Sequence, residues 1–454
     1  MQNNPGKSKP NRPPNPSFQP RFLLLTVVLL LFLTAVFFIG PQLLPKAIVA
    51  TSEQTQASEA STNATTAVPT VSPMPTTTEP TEIRVTLTGV GDIILHQAVI
   101  DGGLTNPGEK PAVYDYTPIF QYIKPIFEAS TLAIANYEGT LNGAPYSGYP
   151  FFCAPDAIAD ALFSAGIKTV WTANNHTIDR GLDGVVRTST VFREKGFQVI
   201  GTRPDEKSPS DTVINVGGIK VGVLAYTFET IGTEQTKTLN GNIMPAAADP
   251  LIDSFNPDRQ SSYVKDLAAM LDRVAALRQQ GAELICLSLH WGIEYQTHSS
   301  GQQREMAQQL ADAGIELIIG HHPHVIEEIQ ILTSASTGKP TLVYYSIGNF
   351  LHNMDFDTHN TAGNAQDSII ARITLIKTAE GVKIEKGEYI PTYVVRVPKG
   401  NQLQHLIVPV LPGLADPGAY QTTTSEMQAS LKRIEAILGD STGTEELPVS
   451  EAGY

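Results

Sequence analysis

The run Leu317-Ile318-Ile319-Gly320-His321-His322-Pro323-His324-Val325-Ile326 places three of the chain's ten histidines within four positions, directly after an apolar stretch. An apolar run closed by a glycine and followed by polar residues reads as a buried strand ending in a loop. Imidazole is a common ligand of transition metals, and a His-x-His pair at a strand end can offer nitrogens to one metal centre or to two adjacent ones. Extended backbone is expected across the pair, with Pro323 fixing its own φ between the rings. The plainer reading is a surface loop that happens to hold histidines.

The same grammar recurs along the chain. Asp92 follows Val90-Gly91, and Asn136 and Glu138 lie in Asn136-Tyr137-Glu138-Gly139. Asn174, Asn175 and His176 follow Ala173, and His290 leads into Trp291-Gly292-Ile293-Glu294. Each polar cluster comes just after an apolar or β-branched run. Carboxylate, amide and imidazole ligands together suit divalent ions such as Mn, Zn or Fe. A carboxylate such as Glu138 can bridge two ions. Two ions about 3.5–4 Å apart acidify a shared water and clamp a tetrahedral phosphorus or acyl centre. His176 is the acid/base candidate, and Asn136, Asn174, Glu294, His321 and Asn349 are candidates for supporting the ligands or touching substrate.

Each residue also has an ordinary reading. Asp92 can be a turn or helix cap, Glu138 a loop carboxylate, and Asn174 and Asn175 the residues of a left-handed turn. His176 can be a structural hydrogen bonder, His290 a core histidine, and Glu294 a solvated acid. His96, His298, His352, His359 and His405 follow no pattern and read as surface or loop residues.

Elements that alternate strand and helix must position these groups. Strands are expected at 83–90, 131–135, 168–172, 198–200, 212–216, 220–225, 283–289 and 341–346, each bounded by turn residues. Helices are expected at 155–165, 181–195, 261–280, 302–313 and 423–438. In the third of these Val264, Leu267, Leu271, Val274 and Leu277 mark an apolar face. Segments 368–376 and 382–390 read as an antiparallel pair, 229–242 as a polar loop, and the residues after Leu438 as an acidic, frayed end. The alternation predicts a layered α/β fold whose strand-end loops converge on one edge.

The chain has 454 residues, 41% of them hydrophobic, and a net charge of −14. That supports a sizeable core and argues against a nucleic-acid partner, which selects a basic footprint. Cys153 and Cys286 are the only cysteines; a disulfide between them is possible but nothing in the sequence supports it, and Cys286 reads as a buried apolar residue. Residues 1–21 carry Lys7, Lys9, Arg12 and Arg21 without an acid and read as a disordered tail. Phe22 to Ile39 is apolar except for Thr26 and Thr34, long enough for a membrane span within an anchor at 22–44. A secretory signal is the alternative. The basic flank predicts a cytoplasmic N-terminus and an outer main domain. Residues 45–82, rich in Thr, Ser and Pro, read as a tether. The folded domain is expected at 83–395, with a C-terminal extension at 396–454.

Taken together, Val90-Gly91-Asp92, Ala135-Asn136-Tyr137-Glu138-Gly139, the stretch Ala173 to Gly181, His290 to Tyr295, Gly320 to Val325 and Tyr345 to Phe350 resemble the bacterial capsule-synthesis proteins. These are the CapA-type proteins of poly-γ-glutamate production. The resemblance runs over roughly Val85 to Tyr393. That family is similar in turn to the calcineurin-like metallophosphatases, which implies a four-layer α/β/β/α sandwich and one or two divalent ions. By motif, the resemblance implies Asp92 and His324 at a first metal and Glu138 as the bridge. It implies Asn175, His290 and His322 at a second, with His176 protonating the leaving group. The phosphatase pattern has Asp-x-His at the first motif, whereas here Ile93-Ile94 follows Asp92. The implied substrate is a phosphoester or an anionic amide polymer. A non-catalytic assembly or export factor, working beside a membrane polymer ligase, is the competing expectation.

Overall fold

The computed structural model describes residues 82–452, apart from positions 234, 440, 442, 445 and 446. The expected tail, the apolar span and nearly all of the tether lie outside the described residues. Among the described residues no helix is long and apolar enough to cross a membrane.

The chain alternates strands and helices, as its periodicity predicts. The first half runs β1 (Ile83–Ile93), α1 (Gln97–Gly102), α2 (Lys124–Glu128), β2 (Leu132–Tyr137), α3 (Ala157–Ala165), β3 (Thr169–Trp171), α4 (Gly181–Glu194) and β4 (Gln198–Ile200). Then come β5 (Thr212–Val216), β6 (Ile219–Phe228), β7 (Thr230–Thr233), β8 (Thr236–Leu239), β9 (Asn242–Ile243), β10 (Ser254–Phe255), α5 (Gln260–Gln279), β11 (Leu284–His290) and α6 (Gly301–Asp312). The chain continues with β12 (Leu317–His321), β13 (Ile329–Thr333), β14 (Pro340–Tyr344), β15 (Asn349–Leu351), β16 (Asp367–Thr378), β17 (Gly381–Lys399) and β18 (Gln402–Pro409). It ends with α7 (Val410–Ala415), α8 (Thr424–Leu438) and β19 (Val449–Glu451).

Two large sheets result. The first has the order β18-β17-β16-β1-β2-β3-β4, with β15 beside β1 and β19 beside β17. The second has the order β10-β6-β11-β12-β14-β13, with β5 beside β6. Strands β1 to β4 are mutually parallel, as are β6, β11, β12 and β14. Successive side chains on a strand point to opposite faces, so each sheet buries two apolar surfaces. Leu87, Ile134, Cys286, Leu317 and Ile319 meet in one core between the sheets. Ala133, Ala135 and Val170 turn the other way and pack against α1 to α4. Ile285, Leu287, Leu289 and Ile318 face α5 and α6 on the far side. The layers therefore run helix, sheet, sheet, helix.

Several expectations change. On α5 the buried face is Met270, Val274 and Leu277, with Leu267 and Leu271 beside them, while Val264 is exposed. The expected polar loop at 229–242 holds β7 and β8 of a small three-stranded sheet completed by β9. The expected boundary at residue 396 falls inside β17, whose register with β18 runs from Thr392 to Lys399. Both β18 and β19 complete the first sheet, so this sequence is part of the same fold. The residues after Leu438 are not simply frayed, because β19 pairs in parallel with Gly387 to Tyr389. Both cysteines are buried and free.

Asp367, at the start of β16, ties α8 to the first sheet. Its carboxylate accepts hydrogen bonds from Ser430 Oγ at 2.6 Å and from Arg433 Nε and Nη2 at 2.5 and 2.8 Å. Burial raises its pKa to about 6, with Arg433 pulling the other way. A buried carboxyl with a raised pKa favours folding fully below its unfolded value near 3.8 and loses that contribution as pH rises through about 6. Replacing Arg433 by Leu leaves the carboxylate uncompensated. The expected loss is roughly 3 kcal/mol at pH 7 and clearly less at pH 5, read from urea unfolding at the two values. Equal losses at both would show that the ion pair is not what holds α8.

Candidate metal centre

The carboxyl ends of the parallel strands from both sheets meet at one edge. Asp92 comes from β1, Glu138 from just past β2, Asn175 from past β3, His290 from the end of β11, and His321 to His324 from the end of β12. All are buried, with at most 5% of each exposed. Two close backbone approaches shape this edge. A Cβ on Gly91 would lie 1.9 Å from Gly348 O, and one on Gly320 would lie 1.8 Å from Tyr345 O. Only glycine permits either contact. The ladder of β1 shifts register around Asp92, and such a bulge re-aims a side chain.

Asp92 is the junction. Its Oδ1 accepts from Asn136 Nδ2 at 2.7 Å, and its Oδ2 from the His322 backbone N–H at 3.3 Å. His321 Nδ1 and His324 Nδ1 lie 3.3 and 3.4 Å from its two oxygens. His324 Nδ1 is also 2.9 Å from Asn349 Oδ1, which leaves Nε2 facing Glu138 Oε1 at 3.9 Å. Fixing one ring nitrogen so that the other is presented is how metal-bound histidines are oriented. His290 Nε2 approaches the same oxygen, lying 3.7 Å from Oε1, and is 3.1 Å from Asn175 Oδ1. The His322 ring sits 4.9 Å from that of His290 and 5.8 Å from that of His324.

The expected ligand set thus gathers in one place: Asp92, Glu138, Asn175, His290, His322 and His324. One atom each from Asp92, Glu138 and His324 lies within 4.8 Å of the others, and the same holds for Glu294, His322 and His324. The backbone differs from the expected extended loop. His322 and His324 have φ of 99° and 58°, in the left-handed region. With this backbone the two rings lie near one another, their centroids 5.8 Å apart, and His324 Nε2 faces Glu138.

The donor set fits a cation. Both Glu138 oxygens, His290 Nδ1 and His322 Nδ1 are buried without a hydrogen-bond partner. Each such atom costs about 1–3 kcal/mol if nothing satisfies it. Burial, followed by repulsion from Asp92, raises the Glu138 carboxyl well above the usual range. For Asp92, burial pushes upward but the His321 and His324 imidazoles outweigh it and hold it well below. Burial and the neighbouring imidazole of His322 keep His290 far below its ordinary value. Burial brings His322 down to about 3. Burial would lower His324 too, but Glu138 and Asp92 outweigh it and raise it to about 10.

Above this cluster is a cleft of about 140 Å³, lined among others by Glu138, His176, His324 and Glu294. His176 Nδ1 lies 2.8 Å from Asp179 Oδ2, which also accepts from the Phe152 N–H at 2.6 Å. With Nδ1 engaged, Nε2 is the nitrogen left for substrate. Sequence reading assigned Asp179 no role; its signal was its place three residues after His176 in one turn. Asn174 builds that turn, donating to Tyr137 O at 2.7 Å and accepting from the His176 N–H at 3.2 Å. His321 lies behind Asp92 against Trp171, with ring centroids 5.2 Å apart. Glu294 is exposed at the rim. The unpatterned histidines are not all surface residues. His96 and His359 line the cleft, and His352 and His405 are buried. Tyr149, Phe152 and Met354 also line it and carried no sequence signal, and so does Tyr295, the last residue of the His290 motif, to which sequence reading assigned no role.

Comparison with known proteins agrees with these motifs. The profile of the family described as "Bacterial capsule synthesis protein PGA_cap" matches residues 86–354, which contain every residue of the cluster. Capsule biosynthesis protein CapA of Bacillus anthracis is 26% identical over 319 residues, covering 68% of this chain and 69% of that protein. PGA biosynthesis protein CapA of Bacillus subtilis (strain 168) is 26% identical over 269 residues, covering 58% and 62%. Among solved structures, a calcineurin-like phosphoesterase from Bacillus subtilis aligns over 78% of this chain and 98% of its own, at 15% identity and a TM-score of 0.37. With more than half of its length matched by the family profile, this chain belongs to the bacterial capsule synthesis protein family PGA_cap.

Proposed function

We propose that the protein acts in capsule or poly-γ-glutamate synthesis as a divalent-metal-dependent hydrolase or transferase, held outside the cell by an N-terminal membrane anchor. One observation carries the metal reading: Glu138 is buried with both oxygens lacking a hydrogen bond, and two imidazoles from the other sheet approach its Oε1 within 4 Å. Asp92, Glu138 and His324 would hold one ion, and Asn175, His290 and His322 a second or the remaining face of the first. When bound, such an ion supplies Lewis acidity and lowers the pKa of water. Mn, Zn and Fe all suit this mixture of oxygen and nitrogen donors. The chain's own residues then have separate tasks. The ligand side chains fix the reacting centre, and the buried pocket excludes bulk water. His176, oriented by Asp179, holds a proton on Nε2 for the leaving atom of a phosphoester or amide.

The names of both Bacillus relatives place them in biosynthesis, which supports a second reading. In that reading the cluster is structural, and the protein is an assembly or export factor for a polymer-making membrane complex. One series of variants separates the two. His290→Ala and His322→Ala should each cut the metal content of the purified full-length protein at least tenfold by elemental analysis, and abolish polymer processing. His176→Gln and Asp179→Asn should keep the metal and lower kcat by about 10²–10⁴-fold. Unchanged metal content and turnover in both alanine variants would end the enzyme reading. Normal polymer release in cells carrying them would favour the assembly role.

The anchor reading rests on residues 22–39, an 18-residue stretch of apolar side chains and two threonines with a basic flank. Protease added to intact cells should digest the domain after residue 82 while leaving the N-terminal tail protected. Protection of the whole chain would overturn this topology.

Metal affinity should also depend on pH. A cation must displace the proton that His324 holds up to about 10 and the one burial keeps on Glu138. Affinity should rise by roughly tenfold per pH unit for each proton released between pH 6 and 8. Calorimetry in two buffers of different ionisation enthalpy should count at least one. The metal-free fold should show the opposite trend. His324, raised from 6.5 to about 10, stabilises it fully below pH 6.5 and ceases to do so as pH climbs through 10. An affinity independent of pH would exclude His324 and Glu138 as ligands.

A further inference from the structure

The mouth of the cleft sets an exposed carboxylate beside aromatic side chains. Among the described residues no lysine or arginine lines it, and four histidines do. Arg180, which follows the His176 turn, points away and donates to Ser147 Oγ at 2.7 Å and Pro145 O at 3.4 Å. Glu294 stands exposed at the rim, and among the described residues it has no hydrogen bond or ion pair. Deeper in the same cleft, both oxygens of buried Glu138 lack partners. Even the Tyr295 phenol is raised, by burial first and then by the Glu294 and Glu138 carboxylates.

The walls are aromatic. Tyr149 is 77% exposed and meets Phe152 edge-on, with ring centroids 6.3 Å apart. Opposite charges aside, Tyr295 is held by its N–H donating to Pro323 O at 2.7 Å and by stacking on His359 at 4.2 Å. A free carboxylate between aromatic rings is the combination that binds an ammonium group, by charge and by attraction to ring faces.

We propose that the mouth recognises an amine-bearing chain end, with Glu294 as counter-ion to its ammonium group and Tyr149 and Tyr295 as flanking walls. This rests on the metal-centre reading above, and it narrows the substrate to an amide chain presented by its amino end. Asp92 and Glu138 would offset a bound cation's charge at the base, while Glu294, with an oxygen within 4.8 Å of donor nitrogens of His322 and His324, is the exposed carboxylate at the entrance.

The test uses the full-length protein and two probes: a short γ-glutamyl oligomer with a free amino end and the same oligomer N-acetylated. Binding is measured with manganese and with a chelator, and metal content is measured in parallel. The free-amine oligomer should bind at least tenfold more tightly. Glu294→Gln should abolish that preference and retain its metal, and Tyr149→Ala should weaken it several-fold. Equal binding of the two probes, binding of neither, or a preference that survives Glu294→Gln would overturn the proposal. Loss of metal in Glu294→Gln would do so as well, by making Glu294 a ligand. A wild-type protein that holds no metal but keeps the amine preference would instead count against the metal reading alone.

Discussion

The Asp92 carboxylate is the knot between the two sheets. It leaves the end of a first-sheet strand, accepts from a neighbouring asparagine of that sheet, and accepts from the backbone of the histidine loop that ends a second-sheet strand. Two imidazoles of that loop approach it as well. A carboxylate with almost no exposure stays ionised only if surrounding donors compensate for lost water. Those donors come from both sheets, so the charge favours one relative placement of the sheet edges. The same placement brings Glu138 within 4 Å of two second-sheet imidazoles.

That dependence explains why the edge is built from close backbone contacts. Gly91 and Gly320 let the two strands that carry Asp92 and His321 lie against neighbouring carbonyls, with no room for a side chain. The apolar core between the sheets supplies the bulk of the cohesion but is not directional. Polar geometry at the edge and steric exclusion at the glycines supply the direction. The two sheets thus form a stiff base, and the cleft above it is bounded by loops: the turn after β3, the segment around Tyr149, the stretch from Ile293 to Tyr295, and the residues near His359.

Much of this was legible before any coordinates. Alternation of apolar residues named most strands, and an abrupt change to Asp, Asn, Glu or His named their ends. The six ligand candidates converge because parallel strands in a layered fold bring their carboxyl ends to the same side. What stayed hidden depends on contacts distant in sequence. Asp179 is one acid in a turn until its carboxylate meets His176. His96 and His359, separated by more than two hundred and fifty positions, share a cleft that no periodicity reports. The buried face of α5 was drawn one turn too far toward its start, since Val264 has the right spacing but nothing opposite it. Short strands such as β9 and β19 were missed because two or three residues carry too little pattern.

The histidine loop has one more consequence. Two non-glycine residues two positions apart adopt left-handed backbone, a conformation that costs about 1–3 kcal/mol each unless its surroundings impose it. Here Pro323 between them, the Tyr295 amide on the Pro323 carbonyl and the Asn349 side chain on the His324 carbonyl supply that constraint. The imidazoles are therefore set before anything arrives between them. A rigid frame of this kind would discriminate among cations by radius and coordination number instead of adapting its bite to each visitor.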